Sequence, residues 1–195
     1  MVSPPGWILV WDLDETLVAG WPKEPCVNEA ARSIVRLAAK ARQEGRVDRI
    51  FVLTNNSDKD YIAKALSHFP RFDGVMDSTH LSRKRIDTTN MNANVTKSLA
   101  DIVQLYADIG ITVTENSIRD RVLFFDNYPT HTLLHEIPEK HYIHISPDFK
   151  CGRSSTPDAT RWDYVRGLLT ASRKRKTLKK RRKTRRFKMS GRLLL

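Results

Sequence analysis

The feature that most constrains the fold is an apolar run, WILVW at residues 7–11, which leads directly into Asp12 and Asp14. A continuous apolar run bounded by polar residues is typical of a strand buried on both faces, as in a parallel sheet. Two further apolar runs, residues 49–54 and 121–125, also end beside polar side chains. We therefore predict that these three segments are strands of one sheet.

Segments in which apolar residues recur at helical spacing alternate with these strands. Helices are predicted over residues 29–44, 59–67 and 95–109 and after Pro157, and short strands over residues 72–76 and 141–145. Strands that alternate with helices predict an α/β fold with a doubly wound, mostly parallel sheet.

Polar residues follow the predicted strands at their carboxyl ends, where the active sites of such sheets lie. Asp12 and Asp14 follow the first strand, Thr54 ends the second, and Asp126 follows a later one. Repulsion between carboxylates favours a bound cation, and hard oxygen ligands suit Mg²⁺. One carboxylate can act as a nucleophile that forms an aspartyl-phosphate, and a second can protonate the leaving oxygen and later activate water. The pattern predicts phosphoryl transfer.

Three motifs resemble those of the haloacid dehalogenase (HAD-like) superfamily of Mg²⁺-dependent phosphatases. DLDET at 12–16, LTNNS at 53–57 and FFDN at 124–127 resemble its first, second and fourth motifs. Glu15, where most members carry glycine, and DNYP at 126–129 are similar to one branch of the superfamily. That branch contains the RNA polymerase II C-terminal-domain phosphatases and the NLI-interacting-factor-like proteins.

The resemblance implies a role for each matching residue. Asp12 would be the nucleophile and a metal ligand. Asp14 would be the general acid and base, and its backbone carbonyl a further metal ligand. Thr54 and the backbone N–H of Asn55 would bind the phosphoryl group, and Asp126 would bind Mg²⁺.

The resemblance, which covers roughly residues 7–146, also implies a lysine that neutralises the phosphoryl group and binds it. We assign this role to Lys97, because it opens the predicted helix that leads to the strand of Asp126. Lys84, in a polar and irregular segment, is the alternative. Arg83 and the two basic residues after it either contact a phosphorylated substrate at the rim of the cleft or belong to a solvated loop.

The segments beside the predicted site are too short for a large cap domain. An uncapped site relies on the substrate to exclude water. This favours a bulky substrate, and we expect a protein phosphorylated on serine or threonine. A nucleic-acid 3′-phosphatase is the alternative enzyme. The alternative from another class is a catalytically weak protein that keeps this fold to bind nucleic acid.

The net charge of +12 is concentrated at one end of the chain. Of the 34 basic residues, 13 lie between Arg173 and Arg192, and no acidic residue follows Asp163. We predict a phosphatase domain over residues 1–171 and a basic, disordered tail over residues 172–195. Such a tail binds polyanions or acts as a nuclear-localisation signal, so nucleic acid and an import receptor are its expected partners.

Two further features bear on location. The first residues, MVSPPGW, lack the pattern of a secretory signal, and no apolar run approaches the ~20 residues of a membrane span. Cys26 and Cys151 match no metal-binding spacing, so we predict free thiols in a reducing compartment. We therefore expect an intracellular protein that the basic tail directs to the nucleus.

Overall fold

A computed structural model describes residues 6–83, 96–128, 132–146, 149–152 and 159–171. The strands are β1 (Trp7–Trp11), β2 (Val18–Ala19), β3 (Cys26–Val27), β4 (Val47–Leu53), β5 (Gly74–Met76), β6 (Val122–Asp126) and β7 (Tyr142–His144). The helices are α1 (Glu29–Gln43), α2 (Lys59–Leu66), α3 (Leu99–Asp108), α4 (Glu115–Ile118), α5 (Leu133–Glu136) and α6 (Ala159–Thr170).

Five of the strands form one sheet in the order β5-β4-β1-β6-β7, and each neighbouring pair is parallel. The strands β2 and β3 form a separate antiparallel hairpin. The prediction of an α/β fold with a mostly parallel sheet is confirmed. Because all five strands run in the same direction, their carboxyl ends meet at one edge of the sheet.

The central strand β1 is buried on both faces, which explains why its sequence is apolar without alternation. Leu9 and Trp11 belong to the core on the side of α1 and α6, whereas Ile8 and Val10 belong to the core on the side of α3. Trp11 stacks on Phe125 of the neighbouring strand with ring centroids 3.7 Å apart. Helices therefore cover both faces of the sheet.

Capping residues set the starts of two helices. Asn28 caps α1 by accepting a hydrogen bond from the Ala31 N–H at 3.3 Å. The helix α3 begins at Leu99, later than the predicted residue 95, because Ser98 and Asp101 form a reciprocal capping box. The prediction that Lys97 opens this helix is therefore wrong: Lys97 lies in the segment before the cap.

The prediction of free thiols is also wrong, because Cys26 and Cys151 form a disulfide with Cα atoms 5.6 Å apart. The two cysteines are 125 residues apart in sequence, so spacing gave no indication of the pairing. The two cysteines therefore give no indication of a reducing compartment. The expectation of an intracellular location stays a prediction that depends on the basic tail.

Between Asp14 and α1 the chain forms only the β2–β3 hairpin, so no large cap domain is inserted there. The alternative lysine, Lys84, and the predicted basic tail, residues 172–195, lie outside the described residues. Within the part of the chain that the structure describes, no helix has the length and apolar character needed to cross a membrane.

Candidate active site

A buried ion cluster lies at the carboxyl edge of the sheet. Asp12 directly follows β1 and Asp126 ends the adjacent β6, so the sheet holds the two carboxylates side by side. The Nζ of Lys97 donates to Oδ1 of Asp12 at 2.5 Å and to Oδ2 of Asp126 at 2.6 Å. Asp12 is 6% exposed, and Lys97 and Asp126 are each 1% exposed. The structure thus brings together three residues that the sequence assigned to one site.

The short helix α5 holds the segment that carries Lys97. The backbone carbonyl of Lys97 accepts a hydrogen bond from the Leu133 N–H at 2.9 Å. Two residues further on, the Leu99 N–H donates to Oε2 of Glu136 at 2.6 Å. Sequence reasoning missed Leu133 and Glu136, since a four-residue helix carries no periodic signal of its own.

The carboxylates of the cluster have unusual proton affinities. Burial raises the pKa of Asp12 to about 7, and the charges of Asp126 and Asp14 add to the rise while Lys97 opposes it. Burial also raises the pKa of Asp14, against an opposing hydrogen bond from Asn56. Burial alone lowers the pKa of Lys97, but the carboxylates of Asp12 and Asp126 outweigh this effect and leave it above its ordinary value.

The loop after β4 supplies the next part of the site. Thr54 directly follows β4 and is fully buried. Its Oγ1 accepts a hydrogen bond from the backbone N–H of Asn56 at 3.0 Å. The side-chain amide of Asn56 donates to both carboxylate oxygens of Asp14, at 3.1 and 3.3 Å. Sequence reasoning identified this turn but missed that Asn56 links Thr54 to Asp14.

Arg83 lies behind this loop and is only 3% exposed. Its Nη1 donates to the backbone carbonyl of Thr54 at 2.6 Å, and its Nη2 donates to Oδ1 of Asn55 at 2.7 Å. Both interpretations of Arg83 from the sequence, a contact at the cleft rim and a solvated loop residue, are therefore wrong. Arg83 instead holds the backbone of Thr54 and the side chain of Asn55, the two residues predicted to bind phosphate.

Glu15 connects the loop after β1 to two other parts of the site. Its φ of +58° lies in the left-handed region that favours glycine. Its Oε2 accepts a hydrogen bond from the side-chain amide of Asn127 at 3.1 Å. Its backbone carbonyl accepts the Phe149 N–H at 2.9 Å. Glu15 therefore joins the loop of Asp14 to the end of β6 and to residues 149–152.

An open cleft of about 730 Å³ gives access to the site. Of the predicted site residues, Asp12, Asp14, Asn55, Lys97 and Asp126 line the cleft, whereas Thr54 is buried behind them. A reacting group in the cleft can therefore contact carboxylates, an ammonium group and the loop after β4.

The donor set fits a hard divalent cation. Asp12 and Asp126 offer carboxylate oxygens, and the backbone carbonyl of Asp14 belongs to the same loop as Asp12. Among the described residues, no three His, Cys, Asp or Glu side chains are grouped as metal ligands. The expected set needs only two side-chain carboxylates, because its third ligand is a main-chain oxygen. The buried surplus of negative charge in this cluster is what Mg²⁺ would relieve.

Comparisons with known proteins reveal no relative: no family model, no curated protein and no solved structure matches the chain. Function is therefore inferred from the motifs and from the geometry of this cluster.

Proposed function

We propose that this protein is a Mg²⁺-dependent phosphatase of the haloacid dehalogenase type, which hydrolyses phosphomonoesters through an aspartyl-phosphate at Asp12. The observation that carries the proposal is the buried cluster of Asp12, Lys97 and Asp126 at the floor of an open cleft. Burying charged groups in surplus costs stability, and strongly shifted pKa values in a cleft are characteristic of functional sites.

The residues divide the reaction into two displacements. In the first, a carboxylate oxygen of Asp12 attacks phosphorus, and the bond from phosphorus to the leaving oxygen breaks. Asp14 protonates that oxygen, and the raised pKa of Asp14, caused by burial, favours the acid form that this step needs. In the second, the Asp14 carboxylate takes a proton from water, whose oxygen attacks phosphorus and releases Asp12.

The remaining groups bind and orient the phosphoryl group. Lys97 neutralises the charge on the phosphoryl oxygens, and the backbone N–H of Asn55 binds those oxygens. Thr54, predicted from the sequence to bind them as well, lies behind the cleft and instead holds this turn through the N–H of Asn56. Mg²⁺, held by Asp12, Asp126 and the carbonyl of Asp14, would supply further electrostatic stabilisation of the transferring group.

The open cleft and the basic segment suggest the substrate. A cleft without a large inserted domain admits a bulky phosphorylated protein, so a phosphoserine or phosphothreonine protein is the first candidate. The 13 basic residues between Arg173 and Arg192 favour a nucleic-acid 3′-phosphate as the second. We propose that this segment binds nucleic acid or an import receptor and directs the protein to the nucleus.

Hydrolysis of 4-nitrophenyl phosphate, measured with and without Mg²⁺, tests the proposal. Asp12→Asn should lower kcat by at least about 10³-fold, since the nucleophile is lost. Asp48→Asn is the matched control, because Asp48 lies near the amino end of β4 and away from the cleft. Equal activity in the wild type and Asp12→Asn would contradict the proposal.

Phosphopeptides and 3′-phosphorylated oligonucleotides then distinguish the two substrate classes. Preferential turnover of the oligonucleotide, lost on deletion of residues 172–195, would favour the nucleic-acid enzyme. If the wild type hydrolyses none of these esters but binds nucleic acid, the alternative of a catalytically weak binding protein replaces the proposal.

A further inference from the structure

We propose that Cys26 and Cys151 form a reversible thiol–disulfide site that controls the shape of the cleft. They are the two cysteines of the chain, and the fold joins them across 125 residues of sequence. Cys151 itself lines the cleft. The effect on turnover rests on the proposed phosphatase function, whereas the existence of the redox site does not.

The disulfide connects the β2–β3 hairpin to the segment of residues 149–152, and both line the cleft and form one of its walls. Cys26 lies on β3 and pairs with Ala19 of β2. The cleft is lined by residues 19–21 from this hairpin and by residues 149–151 from the opposite segment. The Cys26–Cys151 bond therefore links the hairpin half of this wall to the half formed by residues 149–151.

Within the described part of the chain, two attachments hold the segment of residues 149–152. The first is Phe149, whose side chain is buried and whose N–H donates to the carbonyl of Glu15 at 2.9 Å. The second is the disulfide at Cys151. Lys150 lies between these attachments, is exposed and lines the cleft. Breaking the disulfide removes one of these two attachments between described residues, so this part of the wall can move while the catalytic cluster keeps its own contacts.

Access favours attack at one of the two sulfurs. Cys151 is exposed, whereas Cys26 is partly buried. Thiol–disulfide exchange requires the attacking thiolate to reach a sulfur atom, so a soluble reductant meets the Sγ of Cys151 first.

The chemistry is a two-electron reduction by a dithiol. One thiolate of the dithiol attacks Sγ of Cys151 and forms a mixed disulfide, and the Cys26 thiolate leaves and takes up a proton. The second thiolate of the reductant then attacks its own mixed-disulfide sulfur, which releases the Cys151 thiolate. The reductant becomes a cyclic disulfide, and the protein gains two electrons and two protons as two thiols.

The oxidised form has the fixed wall, and reduction loosens it. Reduction should therefore raise KM for an aryl phosphate several-fold and leave kcat within about twofold, because Asp12, Lys97 and Asp126 keep their positions. Reduction also frees the unfolded chain from a cross-link that closes a long loop. We expect Tm to fall by about 10 °C.

The test uses the full chain purified without thiols, before and after treatment with dithiothreitol. Alkylation followed by mass spectrometry should find no reactive thiol before reduction and two afterwards. Amide hydrogen exchange should become faster in the peptide that contains residues 149–152 after reduction. Oxidised glutathione, added after removal of the dithiol, should restore the slow exchange and the original Tm.

The double variant Cys26→Ser/Cys151→Ser is the matched control, and its Tm, KM and exchange should resemble those of the reduced wild type and ignore dithiothreitol. Two reactive thiols in the thiol-free wild type would overturn the inference, and so would unchanged exchange and KM after reduction. If no phosphate ester is hydrolysed, the proposed function fails, but the thiol count and the exchange rates still decide the redox site.

Discussion

The two edges of the sheet both hold charged side chains, but the charges are balanced differently. At the amino edge, Asp48 accepts hydrogen bonds from Nη1 of Arg49 at 2.9 Å, from the hydroxyl of Tyr106 at 2.9 Å and from Nη1 of Arg121 at 3.2 Å. One carboxylate thus faces two guanidinium groups, and its side chain is 25% exposed. This cluster is solvated and has more positive than negative charge.

At the carboxyl edge the balance is reversed, and Asp12, Lys97 and Asp126 are almost fully buried. Asp12, Asp14 and Asp126 face Lys97, and they outnumber the cations even when Arg83 behind the loop is counted. The solvated ion pairs of Asp48 at the amino edge contribute little stability and do not favour the binding of a further ion. A buried cluster with surplus negative charge leaves part of that charge uncompensated, and a bound cation can neutralise it. This difference supports the proposal that the carboxyl edge carries the chemistry.

The largest expected contrast comes from removing one cation at each edge. Lys97→Met leaves two buried carboxylates without their shared partner and should lower the free energy of unfolding by about 3–5 kcal/mol. Arg121→Met should lower it by about 1 kcal/mol, because Arg49, Tyr106 and water still solvate Asp48. Urea unfolding of both variants in metal-free buffer measures the two losses. Equal losses would show that the two clusters are energetically alike and would break the comparison.

A smaller contrast is expected in Mg²⁺ binding. Asp126→Asn removes a predicted ligand from the carboxyl edge and should weaken Mg²⁺ at least about tenfold, or about 1.4 kcal/mol. Asp48→Asn makes the same chemical change at the other edge and should leave the affinity unchanged. Titration calorimetry gives both constants, and the rise in Tm with Mg²⁺ is an independent check. Weaker Mg²⁺ binding in Asp48→Asn than in Asp126→Asn would place the cation at the amino edge and contradict the predicted site.

A further expected effect is a pH dependence. Burial raises the pKa of Asp12 from 3.8 to about 7, so the folded state holds this proton more tightly than the unfolded state. The contribution of Asp12 to stability is therefore full below pH 3.8 and is lost as the pH rises through about 7. Its slope is at most about 1.4 kcal/mol per pH unit.

Urea unfolding of the wild type and Asp12→Asn in metal-free buffer, from about pH 5 to pH 7, measures that slope. The stability of the wild type relative to the variant should fall as the pH rises. Parallel curves of stability against pH would mean that burial does not destabilise the charged form of Asp12. The contrast between the two edges would then lose its electrostatic basis.

Much of the fold could be predicted because its signals are local. The apolar run of β1 and the alternation of strands with helices predict a parallel sheet, and topology then brings Asp12 and Asp126 to one edge. The position of Lys97 was harder to predict. The capping box of Ser98 and Asp101 moves the start of α3 beyond it, so Lys97 reaches the cluster from an irregular segment.

Other parts of the site depend on contacts between distant segments and left no local pattern. The sequence around Arg83 is polar and basic, which predicts a solvated loop, yet tertiary packing buries its guanidinium against Thr54 and Asn55. The Cys26–Cys151 bond depends on the meeting of a hairpin and a segment far along the chain. Neither residue spacing nor hydrophobic periodicity carries that information.

Chemical trapping of the phosphorylated residue tests the central claim most directly. The wild type would be mixed with 4-nitrophenyl phosphate and Mg²⁺, quenched in acid during turnover and treated with borohydride, which reduces an acyl phosphate to an alcohol. Peptide mass spectrometry should then find homoserine in place of Asp12 and an unchanged Asp14. Homoserine at another position, or none while the ester is being hydrolysed, would contradict the assignment of Asp12 as the nucleophile.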